Sequence, residues 1–183
     1  MAIDISLLLQ FVGTIAVESY GVLILTQVIP DLALLIPLLL GVTGIVSSLI
    51  ACALLFKVGR KTLVQIGTFF IIIFLGIIAG GFYQNSDDGN ILVIVGLFLW
   101  RIALALSLSP IALLYISEIV EPSFNVIAVM VTFASAALVS ILFPILRDAI
   151  GVGPIFIFFA VYTSIFFIIN QIFMVETKGK TES

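Results

Sequence analysis

Long apolar runs, each about 20 residues and separated by short polar breaks, fill the chain from end to end. They lie near 6–29, 32–56, 64–83, 91–115, 126–147 and 154–174. Between them stand Pro30-Asp31, KVGRK (57–61), QNSDDGN (84–90), SEIVEPSFN (117–125) and RDAIGVGP (147–154), and the tail ends VETKGKTES. Gly, Pro, Asn and Asp crowd these breaks, as loops require. Strict alternation of apolar and polar positions is absent, which excludes barrel strands. Runs of this length read as membrane-spanning helices, because hydrocarbon offers no partner to an unpaired N–H or C=O and a helix pairs both internally. The predicted fold is all-α and integral to the membrane: a single six-helix domain over residues 1–183, with no room for a soluble domain or long linker.

Composition agrees. Hydrophobic residues make up 63% of the chain and charged residues 9%, against about a quarter charged in soluble domains. The N-terminal MAIDISLLLQ lacks the basic region of a signal peptide, so the first run is read as a retained span. Lys and Arg set the expected orientation. Alternating spans put the N-terminus, the 57–61 loop, the 117–125 loop and the tail on one side, with Lys57, Arg60, Lys61, Lys178 and Lys180. The opposite side carries only Arg147. Both termini are expected on the cytoplasmic, positive-inside face. Which membrane is not encoded; the mitochondrial inner membrane is compatible with an uncleaved multispan chain.

Catalytic chemistry finds little material. The chain has no His and one Cys, Cys52, inside a span, so neither a disulfide nor a Cys/His metal site can be assembled from it. Cys52 is expected to be a small packed hydrophobe. Asp87 and Asp88 lie in a solvated turn. No nucleophile with its base and no phosphate loop is present, so the reading is not an enzyme, with no cofactor, no metal and no nucleic-acid partner. Gly76-x-x-x-Gly80 with Gly81, and Gly41 with Gly44, offer close helix approach, within the chain or toward a partner. Pro37, Pro110 and Pro144 are expected to kink or interrupt their spans.

Short segments then narrow the family. VGRKTLVQIG (58–67), PIALLYISEIVEP (110–122) and VETKGKT (175–181) resemble, in order, the three cytoplasmic motifs of the C-terminal half of sugar porters in the major facilitator superfamily. LLLQFVG (7–13) resembles the Q-Q-x-x-G opening of that half's first helix. The resemblance implies one half of that fold, a 3+3 inverted repeat, with the substrate of a complete porter held between two six-helix halves near the midplane. It also implies a cytoplasmic latch of carboxylates holding arginines. Arg60, Lys61 and Glu118 occupy latch positions, while Phe56 stands where the family has Asp and Asn125 where it has a second Arg. Of the implied sugar-binding amides Gln10 remains, with Leu9 and Ile15 at two other positions, Leu113 at that of a Trp, and VTFASAALVS (131–140) along the fifth span.

Glu18 and Arg101 belong to no such motif. Glu18 lies about 11 residues, roughly 16 Å, into the first span, and Arg101 about 10 residues from the opposite end of the fourth. Both fall near the middle of a core about 30 Å thick, where a lone charge is costly. A Glu18–Arg101 contact is therefore expected, within the chain or through a neighbour, as a structural pair or as an ion relay. Two functions follow. The depleted sugar site favours a non-transporting structural or accessory subunit of a larger membrane complex, in contact with other subunits and lipid. The alternative is a sugar or other small-solute porter working as a homodimer or with a separate N-terminal half; a fragment of a longer gene product is a third reading.

Overall fold

The computed structural model describes residues 2–55, 58–84, 86–112 and 122–173, and the side chains of all of these except 2–5 and 122–124. The described residues form α1 (Ala2–Phe11), α2 (Thr14–Leu25), a 3-10 turn (Pro30–Leu32), α3 (Leu35–Leu55), α4 (Arg60–Gln84), α5 (Asp87–Leu106), α6 (Pro122–Ile150) and α7 (Val152–Phe173). Among the described residues six stretches are long and apolar enough to cross a membrane, the first spanning most of α1 and all of α2.

That first span departs from the expected continuous run to residue 29. It breaks at Gly13, whose φ of 89° is the left-handed conformation glycine adopts without strain, and α2 ends at Leu25, before Pro30 opens the 3-10 turn. The fourth span is also interrupted. After Leu106 the helix turns at Ser107, three residues ahead of Pro110. A proline ring collides with the carbonyl four residues back, here that of Leu106, so the interruption lies where Pro110 demands it.

Pro144 acts differently, because α6 runs straight through it. Its missing N–H frees the Ser140 carbonyl, and the Tyr20 hydroxyl on α2 donates to that oxygen at 2.7 Å. The Tyr20 ring stacks on Phe143 with centroids 5.2 Å apart. Tyr20→Phe is expected to cost about 1–3 kcal/mol by stranding this carbonyl. Adding Pro144→Ala should return most of that loss by restoring the helical donor. Unfolding of the single and double variants in detergent micelles measures both; equal losses in the two would refute the pairing.

The tightest packing runs along α4 and α5. A Cβ at Gly67 would lie 1.8 Å from Ser107 Oγ, one at Gly96 2.7 Å from Ile78 Cγ1, and one at Gly81 2.8 Å from the Gly89 carbonyl oxygen. These glycines occupy both ends and the middle of the crossing, so the two backbones stay close along its length. On its other side α4 meets α7, where Gln65 Nε2 donates to Gln171 Oε1 at 3.0 Å and Phe82 stacks on Phe156. The glycine pattern read from sequence is corrected in part. Gly81 and Gly44 are closely approached, but a Cβ at Gly76, Gly80 or Gly41 would meet nothing within 4 Å. Cys52, expected to be packed, is exposed on the surface of the bundle.

Helices α3 and α6 flank the bundle. Only 22% and 28% of their most apolar stretches are buried, against 44% for the first and fourth spans. Both therefore present broad apolar faces, from Leu38 to Leu49 on α3 and from Met130 to Ile141 on α6.

Candidate functional site

Between these flanking helices lies the broken span. The break strands backbone carbonyls in the middle of the hydrophobic stretch, and side chains satisfy them. Thr14 Oγ1 donates to the Leu9 carbonyl at 2.9 Å. Trp100, fully buried on α5, donates its indole N–H to the Val12 carbonyl at 3.1 Å. The interruption is thus a supported feature of the fold, in which α2 begins with its positive dipole end at mid-membrane. Gln10 sits one turn before the break, 7% exposed, and its Oε1 has no hydrogen-bond partner among the described residues. A buried amide oxygen without a donor is a group that water or a ligand satisfies.

Glu18 and Arg101 meet across α2 and α5: Arg101 Nη1 donates to Glu18 Oε1 at 2.7 Å. The Arg101 side chain is 21% exposed and that of Glu18 47%, so the carboxylate faces outward while the guanidinium reaches it from behind. Gly44 on α3 makes this reach sterically feasible. A Cβ there would stand 2.5 Å from Arg101 Nε and 2.9 Å from Cζ, so the guanidinium lies directly against the α3 backbone. A cavity of about 170 Å³ adjoins the pair, walled by Val17, Glu18, Pro37, Leu40, Gly41 and Arg101.

Several hydroxyl groups in the spans are already committed. On α6, Thr132 Oγ1 donates to the Ala128 carbonyl and Ser135 Oγ to those of Val131 and Thr132, each within the same helix. Thr68 and Thr163 likewise bond carbonyls four residues back. These hydroxyls offer no free donor to a solute. Sequence reasoning missed Asn170 on α7, which is 1% exposed with both Oδ1 and Nδ2 unpartnered among the described residues. Only its polar type inside an apolar run could have signalled it.

The latch residues are placed in part. Arg60 and Lys61 open α4, where the helix dipole disfavours cations and an acidic neighbour is correspondingly valuable. Glu118, and with it the geometry of the latch, lies outside the described residues, as do Phe56 and Leu113. Among the described residues no cluster of His, Cys, Asp and Glu could hold a metal ion.

Comparison with known proteins sets this arrangement in a family. The chain is 28% identical over 196 residues to the glucose transport protein of Synechocystis sp., across 99% of this chain and 42% of the relative. It is 31% identical over 147 residues to the arabinose-proton symporter of Bacillus subtilis, across 78% of this chain and 32% of that protein. Among solved structures, a partially occluded inward-open form of the E. coli xylose transporter XylE superposes with a TM-score of 0.83 at 27% identity, covering 98% of this chain and 40% of that one. A D-xylose-proton symporter crystal structure gives 0.87 at 24% identity, covering 98% and 43%. The chain thus spans less than half the length of these relatives. The six-helix architecture is shared with part of the proton:xylose symporter XylE, a major facilitator superfamily protein. With a family model for sugar (and other) transporters matching residues 1–182, the chain belongs to that transporter family.

Proposed function

We propose that this chain forms the C-terminal six-helix half of a small-solute porter, and that solute passes along the face bearing the Gly13 break and the Glu18–Arg101 pair. The observation that carries this reading is the broken first span. A discontinuous helix at mid-membrane, with its freed carbonyls capped by Thr14 and Trp100, stands beside the Gln10 amide oxygen, which is buried without a partner among the described residues. Transporters use such breaks to present helix ends and polar groups to solute. A purely structural subunit has no need of one.

Nothing found favours the accessory-subunit reading that the depleted sugar site suggested, whereas the sugar-transporter family and the named relatives support a porter. The complementary surface comes from a second six-helix half, set against the apolar faces of α3 and α6; a second copy or a separate half supplies it where the same polypeptide does not. Arg60 and Lys61 at the start of α4, with Glu118, are the residues that the family resemblance assigns to a cytoplasmic latch. Orientation follows the positive-inside rule, with Lys57, Arg60, Lys61, Lys178 and Lys180 on one side and Arg147 on the other.

Native extraction in mild detergent, followed by mass determination and uptake of labelled solutes, tests the proposal. The expected result is a dimer, or a pair with another six-helix protein, whose uptake falls in Glu18→Gln and Arg101→Gln. Migration only within a large complex of fixed composition, without uptake, would refute it.

A further inference from the structure

The intramembrane pair leaves most of its hydrogen-bonding capacity unused. A guanidinium carries five N–H donors and an ionised carboxylate about four acceptor sites. Arg101 and Glu18 exchange one hydrogen bond, and neither side chain has another among the described residues. Arg101 Nε is buried without an acceptor. Unused donors on a charge in mid-span are costly; Nε lies against the α3 backbone at Gly44, while the side chain, 21% exposed, also borders the adjoining cavity. The adjoining cavity has four apolar walls, Val17, Pro37, Leu40 and Gly41, and two charged ones, Glu18 and Arg101.

We propose that this cavity binds a small zwitterion, an α-amino acid with a short apolar side chain. This rests on the porter reading and names the class of solute it carries. Arg101 receives the carboxylate on its free donors, Glu18 accepts from the ammonium, and the side chain lies against Val17, Pro37 and Leu40. The geometry suits such a ligand: its amino nitrogen and carboxyl carbon are roughly 2.5 Å apart, matching two protein groups that are themselves in contact at 2.7 Å. Charge balance suits it as well. The empty site is neutral because its two charges face each other, and the filled site is neutral because each faces an opposite head, so neither state holds a net charge at mid-membrane.

A sugar fits less well. Its hydroxyls surround the ring and each needs a partner once out of water, whereas the Val17, Pro37 and Leu40 side chains and the bare Gly41 offer none. The residues at which the family resemblance places sugar-binding amides, Leu9 and Ile15, are apolar here. The solute class has moved with the polar groups, from amides near the break to an ion pair beyond it.

The test measures binding of labelled L-alanine to the full-length chain purified in detergent, with propionate, isopropylamine and D-xylose as competitors. L-Alanine is expected to bind, each one-headed analogue to compete at least about tenfold less well, and D-xylose not to compete. The Glu18→Gln/Arg101→Gln double variant, which removes both charges together, should weaken binding by about 10- to 100-fold. Gly41→Val provides a second variant. A Cβ at Gly41 meets nothing within 4 Å, so the variant is expected to keep the fold, as thermal unfolding beside the parent will check, while the added methyl groups narrow the cavity and binding should fall. Undiminished alanine binding in both variants, displacement by D-xylose but not by the analogues, or no alanine binding at all would overturn the assignment. Any of these leaves the porter reading standing on the uptake of other solutes, whereas alanine binding without uptake of any solute would overturn the porter reading and keep the site.

Discussion

Replacing Glu18 with leucine is expected to destabilise the folded bundle by about 2–3 kcal/mol, because it leaves the Arg101 guanidinium at mid-membrane without its counter-charge. The partial exposure of the carboxylate keeps the figure below that of a fully enclosed pair. Arg101→Leu is expected to cost a similar amount for the complementary reason. The double variant Glu18→Leu/Arg101→Leu should lie closer to the parent than either single variant, since two apolar side chains replace a desolvated pair that held itself together by one hydrogen bond. Unfolding free energies of the four proteins in mixed micelles give the coupling directly. Additive losses would show that the 2.7 Å contact contributes nothing to stability.

Gly67→Ala is expected to have the larger effect, about 3 kcal/mol or more, although it adds one methyl group. That methyl would lie 1.8 Å from Ser107 Oγ and 2.1 Å from Ser107 Cβ, so α4 and α5 must separate or shift. Rotation of the serine cannot relieve it, because Cβ is fixed to the backbone and Oγ is held by the Ala103 carbonyl at 2.6 Å. Gly76→Ala, nine residues on in the same helix, should be neutral or slightly stabilising, since alanine is the better helix former and meets nothing there. Ser107→Gly combined with Gly67→Ala should recover most of the loss by removing both colliding atoms. Thermal unfolding of these variants in one detergent provides the comparison. Equal behaviour of Gly67→Ala and Gly76→Ala would refute the close crossing.

What the sequence determined by itself is what the solvent dictates. Hydrocarbon forces each long apolar run into a helix, so the number of spans and the absence of strands among the described residues, and the positions of most breaks, are legible in the order of polar and apolar residues. The family was legible too, because VGRKTLVQIG, PIALLYISEIVEP and VETKGKT stand in the order that the family resemblance requires. The need of Glu18 and Arg101 for partners follows from the cost of charge in lipid, and the structure supplies one for each in the other.

Tertiary structure decided everything that depends on which face of a helix meets which neighbour. Glycine spacing singled out Gly76, Gly80 and Gly81 with Gly41 and Gly44; of these only Gly81 and Gly44 are closely approached, and the further close approaches at Gly67, Gly89 and Gly96 match no short motif. A helix in lipid is apolar on all sides, so sequence carries little signal of the inward face. The break at Gly13 was equally hidden. A glycine inside an apolar run is compatible with a continuous helix, and only Trp100 donating to the Val12 carbonyl and Thr14 to that of Leu9 make the interruption stable. Pro144 shows the same division: its sequence position announces an orphan carbonyl at Ser140, but Tyr20, 120 residues away along the chain, is found to satisfy it only when α2 and α6 are brought together.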